Sequence, residues 1–213
     1  MDLSPLVHLQ SVKMESRTLP SIHSISLRGL NRLYSLELGK GALESVDNIT
    51  VGSSSLNSLS NFPFNSFNNV STIAVGTNSL NTVSNITMNG MNKLHSIEIG
   101  TNSLNMASRL IMNGLNNLQS FDIGEFTFGN ITKVAIGENS LNAVGALNFS
   151  AFANTEFISV GSNSMNKIEA ITATGLSQLQ SFYVGDDSLN IVNKYIVIMI
   201  KSSFDRHSSC SNF

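Results

Sequence analysis

Charged residues are scarce in this 213-residue chain. Lysine and arginine number 12 and aspartate and glutamate 14, which together make 12% of the sequence and leave a net charge of −2. This share is about half of that in an ordinary globular protein. The chain therefore has no basic region of the kind that binds nucleic acid or an anionic membrane surface.

Cysteine and long apolar runs are equally sparse. The single cysteine, Cys210, excludes a disulfide framework and leaves the redox compartment open. The most apolar run, 195–200, has six residues, whereas a membrane-spanning helix needs roughly 20. The first residues have neither the basic segment nor the apolar run of a signal peptide. We therefore expect no membrane insertion by this chain, and its cellular compartment stays open.

Short polar side chains take the place of charge. The chain has 27 Asn, 34 Ser and 12 Thr. Such a composition alone suggests disorder, but apolar residues make up 41% of the sequence and recur at regular spacing. The regular spacing points to a folded, repetitive structure.

A glycine recurs along the chain after short stretches in which every second residue is apolar. Successive marker glycines follow one another at spacings of 13, 24, 24, 24, 13, 24 and 24. Self-similarity at such a period is the signature of a solenoid. The marker glycines are Gly39, Gly52, Gly76, Gly100, Gly124, Gly137, Gly161 and Gly185.

Each 24-residue unit contains two extended pieces. Ile97 and Ile99 precede Gly100 at a spacing of two, which places both side chains on one face of a strand. Ile86 and Met88 form the other piece, so a turn has halves of about 13 and 11 residues. No window keeps the helical spacing of i, i+3, i+4 and i+7.

This pattern predicts a mainly β fold, a β-solenoid with turns of about 24 residues, a parallel sheet and little helix. We expect one solenoid domain over 1–200 and a disordered tail over 201–213. The chain begins within a repeat, and a fragment of a longer array is one interpretation. The apolar end of the array, 195–200, is an open edge through which copies could self-associate.

The two 13-residue intervals have two interpretations. If each half-turn occupies one side of the coil, an extra 13-residue half moves the marked strands to the opposite side. The marked strands would then lie on one side up to Gly39, on the other from Gly52 to Gly124, and on the first again from Gly137. Alternatively, the extra 13 residues bulge out as a loop and the register never changes. Ile49 stacked between Leu36 and Ile73 on one sheet would contradict the change of side.

An asparagine follows most marker glycines at a fixed offset. An amide at an inward corner can pair with backbone groups that a bend leaves unpaired. We therefore expect a structural asparagine ladder inside the corners; the alternative is a row of solvent-facing turn residues. The residues are Asn78, Asn102, Asn139 and Asn163.

The spacing L-x-x-L-x-L-x-x-N-x-L resembles the leucine-rich repeat signature. The stretches 94–104, 70–80 and 131–141 follow it. The Gly–hydrophobe pairs Gly90–Met91 and Gly114–Leu115 are similar to those of the BspA-like subclass. This resemblance implies a solenoid used for binding, with no catalytic residues, and it favours a cell-surface or secreted location.

No pattern for catalysis, a metal or a cofactor is present. The four histidines lack metal-ligand spacing, and no Cys-x-x-Cys occurs. Neither a phosphate-binding glycine loop nor a nucleophile motif is found. We expect a protein that is not an enzyme and has no cofactor.

The outward positions of the marked strands are the candidate binding face. A variable column runs beside a hydroxyl row (Ser11, Ser35, Thr72, Ser96, Ser120 and Ser181). The leading function is a non-enzymatic leucine-rich repeat module that binds a protein, or a glycan, through this face. The alternatives are a structural, self-associating surface protein and ice binding by the hydroxyl row. The candidate binding residues are Lys13, Tyr34, Glu37, His95, Glu98, Gln119, Asp122, Gln180 and Tyr183.

Overall fold

A computed structural model describes residues 1–190 and 196–199. This part of the chain is a parallel β-solenoid of about seven turns of ~24 residues. It has no α-helix, and its only helical pieces are the 3₁₀ turns Phe64–Ser66 and Phe149–Ala151. The predicted fold class is thus confirmed.

The chain alternates between two sheet faces, which we call front and back. The front face consists of β2 (Ser24–Ser26), β4 (Asn48–Val51), β5 (Thr72–Val75), β7 (Ser96–Ile99), β9 (Ser120–Ile123), β11 (Ala146–Asn148), β13 (Ala170–Thr174) and β15 (Ile196–Met199). The back face consists of β1 (Ser11–Met14), β3 (Ser35–Leu38), β6 (Asn85–Asn89), β8 (Arg109–Asn113), β10 (Lys133–Ile136), β12 (Phe157–Val160) and β14 (Ser181–Val184). Every pairing of neighbouring strands within these faces is parallel.

The marked strands change sides at both 13-residue intervals, as the first interpretation predicts. β3, which ends before Gly39, pairs with β1 on the back face. β4, which ends before Gly52, pairs instead with β2 and β5 on the front face. β10, which ends before Gly137, pairs with β8 and β12 on the back face again. Ile49 accordingly lies between Ile25 and Ile73, and the bulge alternative is wrong.

Two consecutive 13-residue halves are two residues longer than a 24-residue turn. These two extra residues must be absorbed at each switch. The equivalent hydrogen bond between ordinary turns joins residues 24 apart, as in Ser55 N–H to Ser79 Oγ. At the switches Gly29 N–H donates to Ser55 Oγ and Gly114 N–H to Ser140 Oγ, 26 residues away. The ladder breaks on the face where the offset is absorbed. On the back face the turn after β3 contains the 3₁₀ turn Phe64–Ser66 in place of a strand, and on the front face β9 does not pair with β11.

A phenylalanine-rich 3₁₀ turn follows each switch. Phe64 and Phe67 at the first switch correspond to Phe149 and Phe152 at the second, and all four rings are buried. The amide of Asn69 donates to Glu44 O, and that of Asn154 donates to Gly129 O, each at 2.5 Å. The whole arrangement therefore occurs twice. The two copies are separated in the sequence by the same number of residues as the marker glycines Gly52 and Gly137.

The core lies between the two faces and runs the length of the coil. Ile73 and Ile97 project inward from the front, and Ile86 and Leu110 from the back, all of them buried. Thr155, a polar residue in an apolar column, is also buried, and its hydroxyl donates to Ile131 O at 3.2 Å. Burial of each aliphatic side chain contributes roughly 1.5–3 kcal/mol before chain entropy opposes it.

The corners are held by buried hydroxyls that stand three residues after the marker glycine. Ser79 Oγ donates to Gly52 O at 2.6 Å and accepts from Ser55 N–H at 3.1 Å. Ser103 repeats both bonds one turn later, to Gly76 O and from Ser79 N–H. The buried members of this serine ladder are Ser55, Ser79, Ser103, Thr127, Ser140 and Ser164.

The inward location predicted for the asparagine ladder of Asn78, Asn102, Asn139 and Asn163 is wrong. All four side chains are exposed. Their φ angles lie between 51° and 55°, a left-handed conformation that asparagine tolerates better than most residues. Their amides do bond in pairs, Asn102 Nδ2 to Asn78 Oδ1 at 2.5 Å and Asn163 Nδ2 to Asn139 Oδ1 at 2.6 Å, but on the outside of the corner.

Backbone pairing by amides occurs three residues further on. Asn81 N–H donates to Asn57 Oδ1 at 2.9 Å, and Asn105 N–H donates to Asn81 Oδ1 at 3.1 Å. Asn166 and Asn142 repeat the bond at 3.0 Å. These half-buried asparagines perform the role that we assigned to the first column.

Replacement of Asn102 tests this assignment. We expect Asn102→Ala to lower the free energy of unfolding by about 1 kcal/mol, because alanine disfavours the left-handed conformation. Asn102→Gly should stay within about 0.5 kcal/mol of the parent, because glycine adopts that conformation without strain. Urea denaturation followed by circular dichroism measures both. An inward structural amide would instead make both variants equally unstable.

Some predictions concern residues that the structure does not describe. The predicted tail, 201–213, lies outside the described residues, as do Tyr195 and Ile200 of the apolar end. The backbone between them, Ile196–Met199, forms β15 and pairs with β13. The domain boundary at residue 200 therefore stays a prediction.

Candidate binding surfaces

The predicted binding residues are all exposed, but the structure distributes them over three places. Because the marked strands change sides, the predicted set cannot form one continuous surface. The N-terminal back face carries Lys13, Tyr34 and Glu37; the front face carries His95, Glu98, Gln119 and Asp122; the C-terminal back face carries Gln180 and Tyr183.

The front face brings two carboxylates together. Glu98 and Asp122 are partners in the register of β7 and β9, so their Cα atoms lie about 4.8 Å apart. Ser120 donates a hydrogen bond to Asp122. His95 and Gln119 lie at the start of the same two strands, where Gln119 N–H donates to His95 O at 2.8 Å.

This acidic pair is not neutralised within the described part of the chain. The contacts there between a basic and an acidic side chain are Lys13–Glu15 and His23–Asp47. Like charges directly opposite each other on neighbouring strands are destabilising. The pair therefore lowers the stability of the fold, and no contact among the described residues compensates for it.

Asp2 lies at the far end of the same outward column. It bridges to Ser26, which is followed by Thr50, Ala74 and then Glu98. The pKa of Asp2 is lowered because its carboxylate accepts hydrogen bonds from Ser4, first of all from the backbone N–H. The front column is thus acidic at both ends and neutral between them.

The back face carries a basic pair that sequence reasoning missed. Arg109 of β8 and Lys133 of β10 are register partners, and Phe157 of β12 follows in the same row. All three side chains are exposed. Arg109 belongs to an unmarked strand and Lys133 to a marked one, so the sequence columns kept them apart. Their separation by one full turn in the sequence is the signal that could have revealed the pair.

A groove opens on the front face where the ladder between β9 and β11 is broken. Its volume is about 840 Å³. Ile123 and Gly124 form one wall, and Asn148 and Thr172 form the other. Phe126 lies at its edge with 77% of its surface exposed. A neighbouring recess of about 540 Å³ extends along β9 to Glu98 and Asp122.

The only sign of this groove in the sequence is an exception to the repeat. Phe126 departs from the asparagine column, and the 13-residue interval begins at Gly124. Which strands separate there depends on contacts between turns, so the groove itself was not predicted.

The hydroxyl row proposed for ice binding is divided. Thr72, Ser96 and Ser120 are adjacent on the front face. Ser11 and Ser35 lie on the N-terminal back face, and Ser181 on the C-terminal back face. No long flat row of hydroxyls therefore forms from the predicted residues.

Among the described residues, no group of three or more His, Cys, Asp or Glu side chains is arranged to hold a metal ion. Residues 1–190 and 196–199 also contain no helix with the length and apolarity needed to cross a membrane.

Comparisons with protein-family models, with curated proteins and with solved structures found no match to this chain.

Proposed function

We propose that the chain is a non-enzymatic binding module that engages a protein partner through its front sheet face. The acidic pair Glu98–Asp122 is the observation that carries the proposal. A basic segment of a partner would neutralise two carboxylates that have no cation among the described residues. Charge-assisted hydrogen bonds of this kind contribute about 1.5–3 kcal/mol each.

The proposal includes kinship with BspA-like leucine-rich repeats. The L-x-x-L-x-L-x-x-N-x-L spacing at 94–104 supports it. The exposed asparagines and the alternation of marked strands between two faces are features that the motif does not explain. The surface itself, rather than the motif, therefore supports the binding role.

Self-association is a second candidate, favoured by opposite charge on opposite faces. The acidic pair is on the front and the basic pair Arg109–Lys133 is on the back, and each pair has the same spacing of one turn. The front of one copy is thus complementary to the back of another. Such a heterologous contact builds open stacks rather than closed dimers.

A site-specific crosslink tests both candidates. We place the photoreactive residue p-benzoylphenylalanine at Ala74, the neighbour of Glu98 in the outward column, and irradiate the chain with a lysate of its source cells. We expect an adduct with a basic protein. In the double variant Glu98→Gln/Asp122→Asn the affinity for that purified protein should fall at least about tenfold, because two charge-assisted contacts are lost.

The matched control carries the photoreactive residue at Ser159, which lies outward on the back face. An adduct between two copies of this chain, lost in Arg109→Gln/Lys133→Gln, would support self-association instead. Equal adducts from Ala74 in the parent and in the Glu98→Gln/Asp122→Asn background would contradict the proposed function.

A further inference from the structure

Phe126 occupies a corner position that suits it poorly. Its φ is 55°, in the left-handed region, and its ring is 77% exposed. A bulky residue is disfavoured in that conformation, and an exposed ring gains nothing from burial. The other residues with this conformation at the same point of a corner are Arg17, Gly41, Ser54, Asn78, Asn102, Asn139, Asn163 and Asp187.

The ring stands at the edge of the groove between β9 and β11. At the preceding switch the corresponding residue is Gly41, which also stands two residues after the marker glycine, so the fold does not require an aromatic side chain there. Residues that break local preferences without a structural gain are concentrated at functional sites. A single binding site therefore explains both the exposed ring and the 840 Å³ groove beside it.

The groove offers neutral hydrogen-bonding groups. Asn148 Oδ1 accepts from Ser150 N–H at 2.9 Å, and its amide nitrogen has no partner among the described residues. Asn154 uses its amide nitrogen on Gly129 O, which leaves Oδ1 as an acceptor. Thr172 contributes an exposed hydroxyl, and Glu125 contributes the one carboxylate among the described residues of the lining.

This combination selects a class of ligand. Nucleic acid and other polyanions need cations, and no Lys or Arg of the described residues lines the groove. A hydrophobic peptide needs deep apolar pockets for its anchors, whereas the apolar side chains of this open groove are Ile123, Phe126 and two alanines, interspersed with amides and hydroxyls. A neutral sugar has an apolar ring face of C–H groups and a rim of hydroxyls, which match one exposed aromatic ring beside amide and carboxylate groups.

We propose that the groove between β9 and β11 binds a neutral oligosaccharide, with Phe126 stacked on one sugar ring and Asn148, Asn154, Thr172 and Glu125 bonded to its hydroxyls. The site is separate from the acidic pair of the proposed function and does not depend on it. Its open shape suits a segment of a chain rather than a single enclosed sugar.

Titration of the full chain tests the site. The probes are neutral hexasaccharides of the glucan, mannan, xylan and chitin types, with an oligogalacturonate as the acidic comparison, each taken to millimolar concentration and followed by calorimetry. We expect at least one neutral probe to bind. Phe126→Asn should weaken its affinity at least about tenfold by removing the stacking surface. This variant should fold, because asparagine occupies the same corner position elsewhere.

Two further variants make the result decisive. Phe126→Tyr should retain binding, because the ring remains. Phe157→Ser, which removes another exposed ring from the back face, should leave binding unchanged. The inference is overturned if no neutral probe binds, if only the acidic probe binds, or if Phe126→Asn binds as well as the parent. Binding that persists in Phe157→Ser and is lost in Phe126→Asn supports it, whatever the outcome for the protein partner.

Discussion

Gly76→Ala is expected to lower the free energy of unfolding by about 3 kcal/mol, the upper end of the cost of overfilling a packed interior. The cause is the close approach of successive turns, not the φ of the glycine. A Cβ atom at Gly76 would lie 2.5 Å from Ser53 N and 2.7 Å from Gly52 C. These are backbone atoms of the preceding turn, so relief requires two stacked turns to separate.

Separation of the turns would also strain the hydrogen bonds that join them. Gly76 N–H donates to Val51 O at 2.8 Å, and β4 and β5 pair along their whole length. In a solenoid each turn is stabilised by its neighbours alone, so a damaged interface has no long-range contacts to compensate for it. Urea denaturation, with amide exchange at β4 and β5, measures the loss.

Gly145→Ala is the matched control for this prediction. An added Cβ there meets no atom within 4 Å, and the residue does not have a positive φ. We expect its stability to stay within about 0.5 kcal/mol of the parent. If Gly145→Ala and Gly76→Ala lost the same stability, the close approach of turns would not be the reason for the marker glycines.

Ser79→Ala is expected to cost about 2–4 kcal/mol, although it removes a single oxygen atom, because a buried N–H and a part-buried carbonyl each lose a partner. Without the hydroxyl, Gly52 O loses a donor at 2.6 Å and Ser55 N–H loses an acceptor at 3.1 Å. Both serines are fully buried, so water cannot replace the bonds cheaply. A buried group left unpaired costs roughly 1–3 kcal/mol.

Ser79→Thr keeps the hydroxyl and changes the size of the side chain, so it separates the effect of the hydrogen bonds from the effect of packing. Threonine occurs naturally in this ladder, where Thr127 Oγ1 donates to Gly100 O at 2.9 Å. We expect Ser79→Thr to retain most of the parent's stability in the same urea titration. Comparable losses in the alanine and threonine variants would show that the site responds to packing and that the hydrogen bonds matter little.

Most of the coil could be predicted because the residue patterns that produce it are local in the sequence and recur in each turn. Ile97 and Ile99 show the alternation of a strand, and Gly100 shows the period. The change of side at Gly52 and Gly137 was one of two interpretations of the marker spacing, and the strand pairing decided between them.

The corner chemistry was predicted incorrectly at the level of single residues. Spacing identified a constant offset for Asn102 but could not tell whether the side chain points in or out. Its φ of 55° turns it outward and places Ser103 inward. A clue was present in the sequence, because a hydroxyl residue follows the column at nearly every corner, through Ser79, Ser103 and Thr127.

The sequence by itself determined the parallel β-solenoid, its 24-residue turn and its apolar core, because these depend on side-chain alternation and on a repeat that each turn shares with the next. Tertiary structure decided which residues meet on the surface. Register placed Glu98 beside Asp122 and Arg109 beside Lys133 on opposite faces. It also opened the groove beside Phe126, because the two residues absorbed at the second switch leave β9 and β11 unpaired.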